Sequence, residues 1–155
     1  MKLPPCGLYR TTRAIGAVPE GRLVFFHNHG NPGPGLYQPT GWRGNRARFA
    51  GQGTLLPEPT DASALEALEA EGLYRVREPF FCCEKKCRRF EAESLVQLGY
   101  DGAGQAILFV PEIVDGMVTL PERGTRIDRE AVASLAALQV PVIHTEPGTG
   151  TETVH

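Results

Sequence analysis

The chain is poor in cysteine, has no long apolar run and carries no excess of one charge, and each shortage removes a class of protein. Four cysteines among 155 residues, three of them crowded at Cys82, Cys83 and Cys87, do not make a secreted disulfide framework, so reduced thiols are expected. No stretch approaches the roughly eighteen apolar residues that span a bilayer, and Pro4 and Pro5 interrupt the start before a signal segment can develop. Leu3, Pro4, Pro5 and Cys6 imitate a lipoprotein cleavage site but lack the apolar segment that must precede one. The expectation is a cytoplasmic chain without a membrane partner. A formal net charge of −2 argues against generic nucleic-acid affinity.

Catalytic signatures are missing as well. There is no nucleophile elbow, Walker loop, zincin helix or kinase motif, so no catalytic residue is assigned and an enzyme is not the favoured class. Gly99, Gly102 and Gly104 sit between two strand-like runs with no helix after them to aim amides at a phosphate. His27, Asn28 and His29 spell HNH, but the nuclease of that name uses separated residues on a metal-binding ββα fold.

What the chain does hold is many turns and a repeat. Eighteen glycines and thirteen prolines punctuate short apolar runs, a pattern that favours β structure. Gly7, Leu8, Tyr9 and Arg10 recur as Gly72, Leu73, Tyr74 and Arg75. Leu23 and Val24 then match Leu95 and Val96, Gly30 matches Gly102, Leu36 and Tyr37 match Leu108 and Phe109, and Pro39 matches Pro111, all at an offset of 72. Gly53 and Thr54 against Gly124 and Thr125, then Leu65 and Leu68 against Leu135 and Leu138, continue the series at offsets of 71 and 70. The change from the initial offset of 65 to 72 reflects seven extra residues in the second copy, and the cysteine loop lies in that insertion.

Periodicity predicts the same outline twice: a strand at Leu8–Thr12 or Leu73–Arg77, a loop, then a hairpin. The second hairpin is predicted as 95–100 and 105–110 around Asp101 and Gly102. A fourth strand is predicted at Arg46–Ala50 or Met117–Leu120. Leu65 and Leu68, and Val132, Leu135 and Leu138, have helical spacing, with Asp61 and Asp128 placed to cap the helix starts. Five short strands and a closing helix per copy suit a small bent barrel of SH3-like type. The fold class expected is therefore mainly β, an internal tandem duplication whose copies pack about a pseudo-twofold axis to share a core. The units expected are residues 1–70, residues 71–145 and a disordered tail over 146–155.

Charge differs between the copies. Residues 1–60 hold seven basic against two acidic side chains, a net of +5, and the remainder holds nine against sixteen, a net of −7. Trp42 with Arg43, Arg46 and Arg48 makes a basic surface with an aromatic anchor, the expected site for a partner. The function expected is a non-enzymatic module that binds another protein, as an adaptor, regulator or neutralising partner, through the surface between its oppositely charged halves. Two alternatives stand beside it. His27 and His29 point to one face of a strand and, joined to Cys82, Cys83 and Cys87, would form a zinc- or thiol-dependent site; otherwise no cofactor is expected. The Arg43–Arg48 surface would alternatively bind nucleic acid.

Overall fold

The computed structural model describes residues 2–143; the predicted tail over 146–155 and the last two residues of the predicted second unit lie outside that range. The architecture is mainly β, in antiparallel sheets. The first half contains β1 (Gly7–Thr11), β2 (Leu23–His27), β3 (Gly35–Tyr37), β4 (Pro39–Arg43), β5 (Arg46–Phe49), β6 (Thr54–Leu55) and β7 (Leu65–Ala67). The second half contains β8 (Gly72–Val76), β9 (Phe80–Phe81), β10 (Arg89–Phe90), β11 (Leu95–Tyr100), β12 (Ala106–Phe109), β13 (Glu112–Val114), β14 (Met117–Thr119), β15 (Thr125–Arg126) and β16 (Leu135–Ala137).

Two five-stranded sheets result, β6-β3-β2-β1-β7 and β15-β12-β11-β8-β16. Their order and register agree strand by strand. Leu8 faces Phe25 as Leu73 faces Gln97, and Leu36 faces Thr54 as Leu108 faces Thr125. Tyr9 donates its hydroxyl to the Pro5 carbonyl at 2.6 Å, and Tyr74 does the same to Ala70 at 2.6 Å. Gly53 and Gly124 are glycine for one shared reason. A Cβ would stand 2.7 Å from the Leu36 carbonyl at the first and 2.6 Å from the Leu108 carbonyl at the second. Neither sheet closes into a barrel: β6 and β7 are free edges of the first, β15 and β16 of the second.

The predicted closing helices are corrected by the structure. The helical residues are 3-10 turns at Pro59–Ala64 and Arg129–Ser134, and the leucines that follow are strands. Leu65 pairs with Thr11 and Leu135 with Val76, while Leu68 and Leu138 donate their amides to Leu8 and Leu73. Edge strands β7 and β16 satisfy backbone groups that a helix there would leave on β1 and β8 without partners. Asp61 accepts the Glu58 amide at 3.1 Å from inside its turn. Asp128 stands at its turn's start without a side-chain cap bond.

The halves share packing. Alternation on β2 sends Val24 and Phe26 into a first core with Tyr9, Ile15, Val18, Leu36 and Ala64, and sends Leu23 the other way. There it joins Tyr74, Val76, Val96, Leu98, Leu108 and Ile127 in the second core. The hairpin of β4 and β5 reaches across: Trp42 donates its indole N–H to the Tyr100 carbonyl at 2.8 Å, and Asn45 donates to Gln97 Oε1 at 3.0 Å. The Gln97 amide returns a bond to the Gly44 carbonyl at 3.0 Å. Gly99 permits this approach, since a Cβ there would lie 2.8 Å from the Asn45 carbonyl.

A twofold relation would repeat these bonds with the halves exchanged, pressing the hairpin of β13 and β14 onto the first sheet. Among the described residues no hydrogen bond joins that hairpin's strands to the first sheet, and Ile113 and Val118 are 69% and 65% exposed. The contact between halves is therefore head to tail, in place of the expected pseudo-twofold pair.

Glu71 lies in this junction and accepts the Ala47 amide at 2.9 Å. Burial raises its carboxyl above the ordinary range, against smaller opposing effects of the Ala47 amide and the Arg46 charge. The folded chain thus holds that proton more tightly than the unfolded chain. Stability is lost as pH rises from the ordinary carboxylate value through the raised one. Glu71→Gln keeps an acceptor for Ala47 and removes the buried charge. We expect a higher melting temperature than wild type at neutral pH, with the gain vanishing below the ordinary carboxylate range, as read by thermal melts across pH.

Candidate metal centres

All four cysteines, and both histidines of the described residues, fall into two tight groups: Cys6 with His27 and His29, and Cys82 with Cys83 and Cys87. Within each group one ligand atom per residue lies within 4.8 Å of the others. Either group can hold a metal ion.

The first group follows from register. Gly7 faces Phe26, so Cys6, one residue before β1, faces His27 at the end of β2, and His29 is the next residue on that side. Cys6 Sγ lies 3.6 Å from His27 Nδ1 and 3.8 Å from His29 Nδ1. Zinc bonds of about 2.3 Å to sulfur and about 2.0 Å to nitrogen at tetrahedral angles require an S···N edge of about 3.5 Å. The histidine rings stand edge to face, with centroids 4.2 Å apart. Asn28 braces the group. Its amide N–H donates to Cys6 Sγ at 3.3 Å, its side-chain nitrogen donates to the Pro4 carbonyl at 3.2 Å, and its Oδ1 faces Cys6 Sγ at 3.2 Å and His29 Nδ1 at 2.9 Å. Both contacts to Oδ1 are donated by protons, on sulfur and on Nδ1, that a metal would displace. Cys6, His27 and His29 would then hold the ion, with a fourth position left for a water or an incoming ligand.

The second group sits in the insertion. Strands β9 and β10 form its neck, with Phe81 facing Arg89 and Phe80 facing Phe90. Cys82 is buried, Cys83 half-buried and Cys87 exposed. Cys82 Sγ lies 3.6 Å from Cys83 Sγ, close to the S···S edge of about 3.8 Å in a tetrahedral zinc thiolate. The Arg88 amide donates to Cys82 Sγ at 3.3 Å. Amides of Cys87 and Lys85 and the Cys82 side chain favour thiolate at Cys83 and lower its pKa, and that thiolate raises the pKa of Cys87. Three of the four basic neighbours that would repel a cation are turned onto rings, Lys86 and Arg89 over Phe81 and Arg88 over Phe90, while Lys85 lines a cleft. Cys83 also lines a cleft of about 1060 Å³ between the halves, with Arg10, Glu66, Lys85, Tyr100 and Arg129.

One consequence is measurable. At neutral pH Cys83 is expected to react with iodoacetamide faster than Cys87, although Cys87 is more exposed, because the thiolate is the nucleophile. Peptide mapping after brief alkylation reads the order, and equal or reversed rates contradict the amide-stabilised thiolate.

The sequence reading joined His27 and His29 to Cys82, Cys83 and Cys87; neither group contains residues from both sets. Cys6 was missed as a ligand, although extending the hairpin register by one residue from Gly7 places it opposite His27. The expected partner site is partly spent internally. Trp42 is 45% exposed, with its indole N–H bonded across the junction, while Arg43, Arg46 and Arg48 remain exposed on the hairpin. No helix among the described residues is long and apolar enough to cross a membrane. No family model, curated protein or solved structure matches the chain.

Proposed function

We propose that this protein binds metal ions, one at Cys6, His27 and His29 and one at Cys82, Cys83 and Cys87. The observation that carries the reading is the gathering of every cysteine, and of both described histidines, into two groups whose ligand atoms lie within 4.8 Å of one another, with Cys6–His27, Cys6–His29 and Cys82–Cys83 at 3.6, 3.8 and 3.6 Å. Donor chemistry selects the ion: imidazole with thiolate, and thiolate alone, suit zinc and disfavour magnesium or calcium. Three protein ligands leave a fourth position at each group, as in sites where a metal holds water or an incoming ligand. Free thiols fit a cytoplasmic setting. The two groups sit on units of one strand order, which we read as a tandem duplication with divergent sites: the counterpart of Cys6 is Glu71, and that of His27 is Gly99.

The test is competition against a chromophoric zinc chelator, with the thiols fully reduced, followed by elemental analysis after gel filtration. One ion per group, with a thiolate-to-metal charge-transfer band when cobalt replaces zinc, is expected. Retention of less than one ion per chain in the presence of a weak chelator defeats the reading. Uptake should weaken as pH falls, because thiol and imidazole protons compete with the metal.

A further inference from the structure

We propose that the second metal group is a redox-released site: a small-molecule disulfide oxidises Cys83 and Cys87 to an internal disulfide and ejects the ion, while the first group keeps its own. The inference rests on the metal-binding reading and adds to it a condition under which one of the two ions leaves. It starts from the uneven sharing of thiols. Three of the four cysteines stand in the second group, with sulfurs within 4.8 Å of one another, and Cys6 is the sole thiol of the first. A disulfide needs two thiols, so only the second group can complete one within the chain.

The hairpin of the insertion selects the pair. Phe80 faces Phe90 and Phe81 faces Arg89, and Cys82 donates its amide to the Arg88 carbonyl at 2.9 Å. One residue further, the same register sets Cys83 opposite Cys87. The Lys86 amide closes the loop between them on the Cys83 carbonyl at 2.9 Å, and Lys86 takes a φ of +54°, as in three-residue hairpin loops that end on a left-handed residue. Directly opposed strand residues hold their Cβ atoms about 4.5–5.5 Å apart, near the separation that a disulfide spans. Cys82 is left out of the pair. It adjoins Cys83 in sequence, and the separation of about 3.8 Å between neighbouring Cα atoms falls short of the roughly 4.4 Å at which disulfides begin. Its side chain is buried in the second core, and its carbonyl accepts the Asp128 amide at 2.9 Å. Residues 84–87, by contrast, are exposed, so drawing Cys87 onto Cys83 moves a surface loop and leaves Cys82 in the core.

The exchange balances in two steps. One of the paired thiolates attacks a sulfur of the incoming disulfide, forming a mixed disulfide and releasing one small thiolate. The other thiolate then attacks the protein sulfur of that bond, closing Cys83–Cys87 and releasing the second small thiolate. Two electrons pass from the pair to the incoming disulfide, which leaves as two thiolates that take protons from solvent. The ion loses two of its three protein ligands and departs from Cys82. The second step is intramolecular, and the high effective concentration of a thiol held across a hairpin drives it. Access is open, because Cys87 is exposed and Cys83 lines the cleft of about 1060 Å³ between the halves. Cys6 stops at the first step. The hydrogen-bond partners of its sulfur are His27, Asn28 and His29, so no second thiol completes the exchange and the small thiol reverses it.

The experiment equilibrates the zinc-loaded full chain in glutathione buffers of increasingly oxidising composition. A chromophoric chelator, at a concentration that leaves both ions in place under reduction, reads the zinc released, and peptide mapping without reductant reads the disulfides. Retained zinc should fall from two ions per chain to one, in step with a linked peptide joining Cys83 and Cys87. Dithiothreitol with added zinc should restore the second ion. Cys6→Ser, which holds only the second ion, should lose all of its zinc over the same range of buffers. Cys87→Ser, treated in its metal-free form and shown by circular dichroism to be folded, should yield a glutathione adduct and no internal link. Loss of both ions together, loss of neither, or a link that includes Cys82 overturns the inference and leaves metal binding intact. A chain that takes up no zinc before oxidation defeats the metal-binding reading and the release with it, so the two failures are told apart.

Discussion

Cys6→Ser is expected to halve the zinc that the chain retains, emptying the first group and leaving the second loaded. The serine hydroxyl does not ionise in the working range, and the remaining His27 and His29 hold the ion only as a pair. Loss of an outer partner to a metal ligand costs roughly 10- to 100-fold in affinity, and loss of the thiolate itself should exceed that. Cys6 is exposed and the hydrogen-bond partners of its sulfur are His27, Asn28 and His29, so the melting temperature of the metal-free chain should hardly change. Asn28→Ala separates support from ligation: it removes the side-chain brace between Pro4 and the group and should fall within the 10- to 100-fold range. The readout is chelator competition, with the cobalt spectrum reporting whether sulfur remains in the coordination sphere. Unchanged stoichiometry in Cys6→Ser would place the metal elsewhere.

Much of the fold was legible because strand alternation and repeated glycines leave traces in one dimension. The Gly-Leu-Tyr-Arg strands, the β11–β12 hairpin and the two matched close-approach glycines all fell where the spacing put them. The edge strands β7 and β16 did not, because three residues spaced like half a helical face also suit a short strand, and only pairing with β1 and β8 decides between them. The site was half legible for a similar reason. His27 and His29 share a face by alternation alone, which a sequence displays, but Cys6 reaches them through a pairing of strands 21 residues apart, which it does not. Cys82, Cys83 and Cys87 were visible as a cluster, while the turning of Lys86, Arg88 and Arg89 onto phenylalanine rings was not. The direction of contact between halves was also hidden. Matched sequences say that two units are alike, and both a twofold and a head-to-tail arrangement satisfy that likeness.

That junction makes the strongest prediction about stability. Leu23 belongs to the first sheet by backbone, yet its side chain is fully buried in the second core, and its amide donates to the Gly102 carbonyl at 2.9 Å. Truncation to alanine removes apolar contact and leaves a cavity at a place where both sheets meet, so neither half can relax without the other. Leu23→Ala should cost about 2–5 kcal/mol. For a chain of this size each kcal/mol moves the melting temperature by about 2–4 °C, so a fall on the order of 10 °C is expected. The form of the transition matters as much as its midpoint. If the halves were independent beads, a substitution on β2 would lower one of two melting steps and leave the other in place. Because Leu23, Trp42, Asn45 and Glu71 all tie first-half strands or the connection to the second half, the variant should still unfold in one step, with the whole transition displaced. Circular dichroism together with tryptophan fluorescence tests this directly, since Trp42 reports the junction and the far-ultraviolet signal reports both sheets. Coincident curves shifted together support one cooperative structure; a fluorescence step that precedes a second, unshifted loss of β signal would show that the halves fold apart.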